Sequence, residues 1–355
     1  MQLVILLFLS RQFTSLTYFP GIGTPVSGTA TLVGNVISTL FLPLMFLPFL
    51  LLSKCYPECS IVMGLSSGLG KFGRFAGWLY YFYILVLAAH TLSHFQFFMI
   101  NAVFPDASVW VIVLPMLAVA VYAAYIGVEG IARSGFFIFI GFLLAFGLIV
   151  FSSIPNIELN NLKPIEKNIW QELTGGVYGT VSRSTEPILF GMLLPYVGNK
   201  NGKVVAGFTA LSIGVLEITA FFILTVLGDF SYSQFFPFYS LASMSEISVF
   251  QRMDALYMGI WVLIGFIKLS LLLLLGKDIF PLLLPQRVNQ NACRLSLPVT
   301  AMLVLGLAIP ACYRFELLSL SYQLVFNGII ILLFVVIFPL ILWIKSTLKR
   351  KGKSK

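Results

Sequence analysis

Charged residues are scarce in this sequence, which has 355 residues and only 10% Asp, Glu, Lys and Arg. Soluble domains average about 25% charged residues, so this chain has too few charges to cover a water-soluble globule of its size. The shortage excludes three broad classes of protein, namely a soluble enzyme, a disordered protein and a nucleic-acid-binding protein.

Cysteines and catalytic motifs are also few. The four cysteines are too few for a disulfide scaffold, and Cys293 and Cys312 are predicted to lie toward opposite membrane faces. The sequence contains no GxxxxGK[ST] phosphate loop, no HExxH pair and no GxSxG elbow, which mark nucleotide-driven transporters, zinc proteases and serine esterases. We therefore expect no enzymatic activity, no cofactor and no metal site.

Apolar residues make up 59% of the chain, and the mean hydropathy is +0.98. A membrane-spanning helix needs about 20 apolar residues, and helices satisfy their own backbone hydrogen bonds in lipid. The apolar runs are continuous rather than alternating, which favours helices over an outer-membrane barrel. The sequence predicts an all-α integral membrane protein with about ten spans, near residues 2–20, 30–53, 76–104, 107–127, 131–153, 173–197, 203–228, 254–276, 295–312 and 324–344.

Lysine and arginine are distributed unevenly over the two sides of the predicted spans. If the N-terminus is cytoplasmic, fifteen of the 22 basic residues fall on the cytoplasmic side and four on the opposite side. This asymmetry predicts that both termini are cytoplasmic. The net charge of +9 is then explained by topology and by contact with anionic lipid, so no nucleic-acid partner is expected.

Five charged residues fall inside predicted spans: Arg11, Arg183, Glu186, Glu217 and Lys268. Charges at membrane depth are costly and usually face a bundle interior or a water-filled cavity, where they are paired. Lys268 is predicted to need an acidic partner at similar depth, and Glu186 and Glu217 are the candidates. A structural ion pair and a charge-coupling role both stay open.

The sixth predicted span is rich in helix-breaking residues. Gly176 and Gly179 precede Arg183, Glu186 and Pro187. Proline removes a helical hydrogen-bond donor and glycine lowers the cost of leaving helical geometry, so an interrupted helix is predicted. In transporters, the half-helix N-termini at such breaks bind carboxylates. The alternative is a kinked structural helix with an Arg183–Glu186 ion pair.

The first predicted span has a similar polar interruption. A Ser-Arg-Gln stretch centred on Arg11 follows an apolar run, and Thr14 and Ser15 come soon after. Few helices that face lipid on all sides carry so many polar groups, which favours a break that lines a site. The alternative is a short helix whose Arg11 reaches toward the membrane surface.

His90 and His94 lie one helical turn apart in the third predicted span. Two histidines at this spacing can ligate a metal, but no third ligand is apparent. The alternatives are that they line a polar cavity or that they are hydrogen-bonded packing residues.

Two segments resemble a known family. The stretch FPFYSLASMSEISVFQRMDALYMGIWVLIGFIKLSLLL (Phe236–Leu273) resembles the region before and within span eight of spore germination permeases, the B subunits of nutrient germinant receptors. The stretch from Asn161 through Glu186 to Pro195 is similar to the loop and sixth span of the same proteins. The resemblance covers nearly the whole chain, and its specific part is residues 236–273.

The resemblance implies the fold of the amino acid–polyamine–organocation transporters, which has two inverted five-helix repeats with broken helices 1 and 6. Here repeat one would cover about 1–153 and repeat two about 173–312, followed by an extra helix at 324–344 and a basic cytoplasmic tail at 345–355. The aromatic segment 229–253 would then be an external flap, or else an interfacial aromatic belt.

The resemblance also implies a function: sensing a small nutrient, such as an amino acid, and signalling to germinant-receptor A and C subunits in the inner spore membrane. The alternative is an ion-coupled amino-acid permease. The expected pocket residues are Thr14, Ser15, Tyr18, His90, His94, Gly176, Gly179, Arg183, Trp261 and Gly265. The expected charge-coupling or structural residues are Glu186, Glu217 and Lys268.

Overall fold

The computed structural model describes residues 1–16, 28–56, 59–162, 170, 173–174, 177–178, 181, 184–196, 201–245, 253–284, 289–314 and 324–353. The regular elements in these ranges are helices, and no strand occurs among them, which confirms the all-α prediction. The α-helices are α1 (Gln2–Ser15), α2 (Gly28–Cys55), α3 (Ile61–Phe98), α4 (Val109–Ile126), α5 (Val128–Ser153), α6 (Glu186–Leu193), α7 (Asn201–Phe222), α8 (Pro237–Met244), α9 (Asp254–Leu283), α10 (Asn289–Tyr313), α11 (Leu324–Ile331) and α12 (Phe338–Lys353).

Eight helical segments of the described chain are long and apolar enough to cross a membrane, so this is a multi-pass integral membrane protein. They are Leu32–Cys55, Ile61–Val103, Val109–Ile126, Val128–Asn156, Asn201–Ser233, Asp254–Leu283, Cys293–Tyr313 and Gly328–Leu348. The first predicted span corresponds to α1, which has 14 residues. Much of the sixth predicted span lies outside the described residues. The total of ten spans and the inverted repeats therefore stay predictions.

The chain divides into two compact units, each built from three chain segments. The first unit contains Met1–Leu44, Gly135–Thr185 and Lys203–Ile264. The second unit contains Met45–Ser134, Glu186–Gly202 and Gly265–Lys355. The repeat boundaries inferred from the resemblance stay predictions.

Helix α1 is packed into the core of the first unit. The ring of Phe8 packs edge-on against Phe139 and Phe142 of α5, with ring centroids 5.5 Å apart in both pairs. Val4 lies beside Gly207 of α7, where a Cβ in place of the glycine hydrogen would be 3.5 Å from the Val4 methyl groups. The first helix of the chain is therefore held by helices from much later in the sequence.

Helices α3 and α10 pack together in the second unit through polar as well as apolar contacts. The hydroxyl groups of Tyr81 and Thr300 lie 3.1 Å apart, and the Ser93 Oγ donates a hydrogen bond to the Ala308 carbonyl at 3.2 Å. Such bonds satisfy polar groups that lipid cannot satisfy, so they fix how these two helices pair.

Gly127 joins α4 to α5 in a backbone conformation that glycine alone adopts readily. Its φ is 104° and its ψ is −177°, a region in which a side chain costs about 1–3 kcal/mol. The chain can therefore leave one helix and begin the next with a single residue between them.

The predicted external segment 229–253 is partly described. It contains the short helix α8, in which the buried Phe238 stacks on Phe146 of α5 at a centroid distance of 5.6 Å. Phe230 and Phe235 are exposed. Whether the segment acts as a flap or as an interfacial belt stays open.

Candidate functional site

The middle of α1 carries three consecutive polar residues that are buried. Ser10, Arg11 and Gln12 are 0%, 5% and 1% exposed, and every residue from Ile5 to Phe13 is buried. Polar side chains at membrane depth are tolerated where they face protein or an internal cavity. All three residues are helical, so the interruption predicted for the first span does not fall at them.

Arg11 is held by Ser184, which lies two residues before the start of α6. Its Nη1 donates a hydrogen bond to the Oγ of Ser184 at 3.0 Å, and both side chains are buried. The alternative that Arg11 reaches toward the membrane surface is therefore wrong. The bond connects the first predicted span to the sixth, the two spans that the sequence singled out.

Gln12 has an amide that is buried and lacks a hydrogen-bond partner. In the described part of the chain neither its Nε2 nor its Oε1 makes a hydrogen bond, and the same holds for the Oγ of the neighbouring Ser10. Buried polar atoms are normally hydrogen-bonded, and leaving one unsatisfied costs about 1–3 kcal/mol. The amide of Gln12 is thus available to both a donor and an acceptor on a bound molecule.

Three aromatic residues form a wall beside this polar stretch. Phe13 stacks on Trp261 of α9 with ring centroids 4.7 Å apart and an interplanar angle of 21°. The hydroxyl of Tyr257 donates to the backbone carbonyl of Leu16 at 3.3 Å, which is one of the carbonyls that the end of α1 leaves without a helical partner. We call Phe13, Tyr257 and Trp261 the aromatic wall.

A small apolar cavity opens beside the aromatic wall within the first unit. It is lined by Leu16, Phe142, Ala145, Phe146, Ile149, Phe238, Tyr257, Ile260 and Trp261. Ligand pockets are commonly apolar with a few well-placed polar groups, and the polar residues of α1 adjoin this wall in sequence. None of Ser10, Arg11 and Gln12 lines this cavity, whose volume of about 10 Å³ has room for about one water molecule, so a nutrient would bind here only when the wall moves apart.

The sequence identified part of this site. Trp261 was predicted and lies in the wall, while Thr14 and Ser15 are half-buried in the last turn of α1. Gln12 was absent from the predicted pocket, and so were the wall residues Phe13 and Tyr257. Tyr257 precedes Trp261 by one helical turn, and this same-face spacing is the signal that could have identified it.

A second group of polar residues lies in the second unit. The rings of His90 and His94 are 5.5 Å apart between centroids, and the ammonium of the buried Lys268 acts electrostatically on both. Glu186, at the start of α6, is buried and acts electrostatically on the hydroxyl of Tyr83. The structure thus brings Lys268 and the two predicted histidines together.

The remaining predicted residues fall elsewhere. Tyr18, Gly176, Gly179 and Arg183 lie outside the described residues. Gly265 is buried in α9, one turn after Trp261. Glu217 is in α7 and belongs to the first unit, whereas Lys268 belongs to the second unit, so their pairing stays a prediction.

Comparisons of the sequence with known proteins give a family match. A family model described as "Spore germination protein" matches residues 1–311. Spore germination protein KB of Bacillus subtilis (strain 168) is 26% identical over 365 aligned positions, which cover 100% of this chain and 95% of that protein. With a match over most of its length and a membrane-spanning helical fold, the chain belongs to the spore germination permease family.

Proposed function

We propose that this chain is the permease-like B subunit of a nutrient germinant receptor and that it binds a small nutrient, most simply an amino acid, beside the polar stretch of α1. Membership of the spore germination permease family supports the general role. The observation that carries the binding proposal is the buried amide of Gln12, which has no hydrogen-bond partner in the described chain and belongs to the residue that directly precedes Phe13 of the aromatic wall.

The chemistry of the stretch suits an amino acid. The guanidinium of Arg11 is a cation that matches a carboxylate, and the amide of Gln12 can bond to either an amine or a carboxylate. The aromatic wall offers apolar area for a side chain. Binding would favour one arrangement of the first and sixth spans over another, and the A and C subunits would receive that change. Thr14, Ser15, Tyr18, His90, His94, Gly176, Gly179, Arg183 and Gly265 stay proposed pocket residues.

The test of the binding proposal replaces the amide of Gln12 by an apolar group of similar size. In Gln12→Leu spores we expect the nutrient concentration for half-maximal germination to rise about three- to tenfold, the value of one hydrogen bond. We expect the thermal stability of the purified protein to stay the same or to increase, because a buried unsatisfied amide is removed.

Gln96→Leu is the matched control, since Gln96 is a buried glutamine of α3 in the second unit. It should leave the nutrient response within about twofold of the parent, well under the effect of one hydrogen bond. If Gln12→Leu and Trp261→Phe both leave the nutrient response unchanged, the site is misplaced.

One observation favours a second candidate function, an ion-coupled amino-acid permease. Lys268, His90 and His94 form a group of ionisable side chains at membrane depth, and such groups mark proton or ion pathways in transporters. Uptake that depends on an ion gradient would distinguish a transporter from a receptor.

A further inference from the structure

Glu217 places a carboxylate at the centre of a membrane span, where it has no hydrogen-bond partner among the described residues. It is the midpoint of the 33-residue segment Asn201–Ser233. Its Oε1 is inaccessible to solvent and makes no hydrogen bond in the described chain. The side chain is half-buried, so one part of it faces outward from α7. A carboxylate at this depth is costly unless it is paired.

The side of α7 next to Glu217 is exposed and consists mostly of small residues. Ala206, Ala210, Gly214 and Ile218 follow one another at four-residue spacing and are all exposed, so they form one helix face. A Cβ added at Gly214 would have no heavy atom within 4 Å. We call these four residues together with Glu217 the outward face of α7.

This face differs from ordinary lipid-facing surface in the same protein. Other spans expose large apolar side chains, such as Val111 at 68%, Phe137 at 73% and Met302 at 70%. Small residues let the backbones of two helices approach closely, and acidic or amide side chains bond across such contacts. A helix face of mostly small residues, next to a carboxylate that has no partner among the described residues, therefore suits another helix better than it suits acyl chains.

We propose that the outward face of α7 is the docking surface for a transmembrane helix of a different protein, one that presents a lysine or arginine at mid-membrane. Charge complementarity selects this partner, because a cation neutralises the carboxylate of Glu217 where lipid cannot. A second copy of this chain does not meet the requirement with its described cations: Arg11 and Lys268 are each 5% exposed and are engaged within their own units. This partner rests on the proposed function, since it would be another subunit of the germinant receptor.

The test uses the full chain in spore membranes with a photo-crosslinking amino acid at Ile218, and with the same probe at Val111 as the control. We expect a covalent adduct from Ile218 alone, in which the cross-linked peptide of the second protein is a transmembrane segment that contains Lys or Arg. Adducts with lipid only, or with a second copy of this chain, would overturn the proposal.

Two variants test the chemistry of the contact. Glu217→Leu and Gly214→Leu should each lower recovery of the adduct by about three- to thirtyfold, the range expected for one interhelical contact. Gly147→Leu is the matched control, because Gly147 is an exposed glycine of α5 that also has open space around its Cβ position.

The melting temperature of the purified chain distinguishes a docking role of Glu217 from a structural role. Glu217→Leu should leave its melting temperature unchanged or raise it, because an unpaired carboxylate is removed. If Glu217→Leu and Gly214→Leu both leave adduct recovery unchanged, Glu217 has another role. The same follows if Glu217→Gln alters only the pH dependence of germination. Cross-linking does not require a nutrient response, so its failure leaves the nutrient site standing, and the reverse also holds.

Discussion

At the scale of residues, buried polar side chains are what distinguish this protein from a plain bundle of apolar helices. Arg11 and Lys268 could be predicted from the sequence because a charge inside an apolar run is conspicuous and costly. Phe13 and Tyr257 could not be selected, because the chain has 34 phenylalanines and 14 tyrosines and hydropathy does not say which of them border a site. Position in the fold supplies that information.

The hydrogen bond from Arg11 to Ser184 leads to a prediction at this scale. Ser184→Ala removes an acceptor from a buried guanidinium, and hydrogen bonds to charged groups contribute about 1.5–3 kcal/mol. We expect a lower melting temperature for the purified protein. Ser53→Ala is the control, because the Ser53 hydroxyl bonds to the Leu50 carbonyl of its own helix. Equal effects of the two substitutions would contradict a special role for the Arg11–Ser184 bond.

At the scale of elements, helix positions were predictable and helix pairings were not. Eight of the ten predicted spans match described helices that are long and apolar enough to cross a membrane, because a continuous apolar run of about 20 residues forms few other structures. The hydroxyl contacts that pair α3 with α10 carry no such signal, since Tyr81 and Thr300 are common residue types 219 positions apart. The break predicted for the first span does not fall at its polar stretch, which is helical; positions 17–20 of that span lie outside the described residues, so the break stays a prediction.

Gly127, the residue between α4 and α5, leads to a stability prediction at this scale. Gly127→Ala places a side chain on a backbone with φ 104°, and we expect destabilisation by about 1–3 kcal/mol. Nothing lies within 4 Å of the new Cβ, so the effect comes from the backbone alone.

Gly147→Ala is the paired control in the interior of α5, where alanine is the better helix former by about 0.5–1 kcal/mol. Thermal unfolding should therefore shift in opposite directions for the two variants. Shifts of the same sign would show that the conformation at Gly127 is not the cause.

At the scale of the whole molecule, the chain consists of two units that each draw on three separate segments. Hydropathy and charge counts report which residues meet lipid and which meet water. They do not report which helices pack into the same core, so the division into two units could not be predicted. Family resemblance, in contrast, was visible in the sequence, and the family match over residues 1–311 confirms it.

A transport measurement tests the receptor proposal at this scale. Proteoliposomes that contain this chain alone should not accumulate amino acids in response to a proton or sodium gradient, because a receptor subunit needs ligand binding and a change of state rather than turnover. The control is an established amino-acid permease in the same lipid. Robust uptake that Lys268→Met abolishes would favour the permease and contradict the receptor proposal.

The packing of α1 has a consequence for the order of assembly during synthesis. Nine consecutive residues of this helix are buried, so it has no face that is suited to permanent contact with lipid. Its hydrogen-bond partners Ser184 and Tyr257 are 173 and 241 residues further along the chain. Helix α1 is therefore synthesised well before the residues that surround it, and its final placement is a late event in biogenesis.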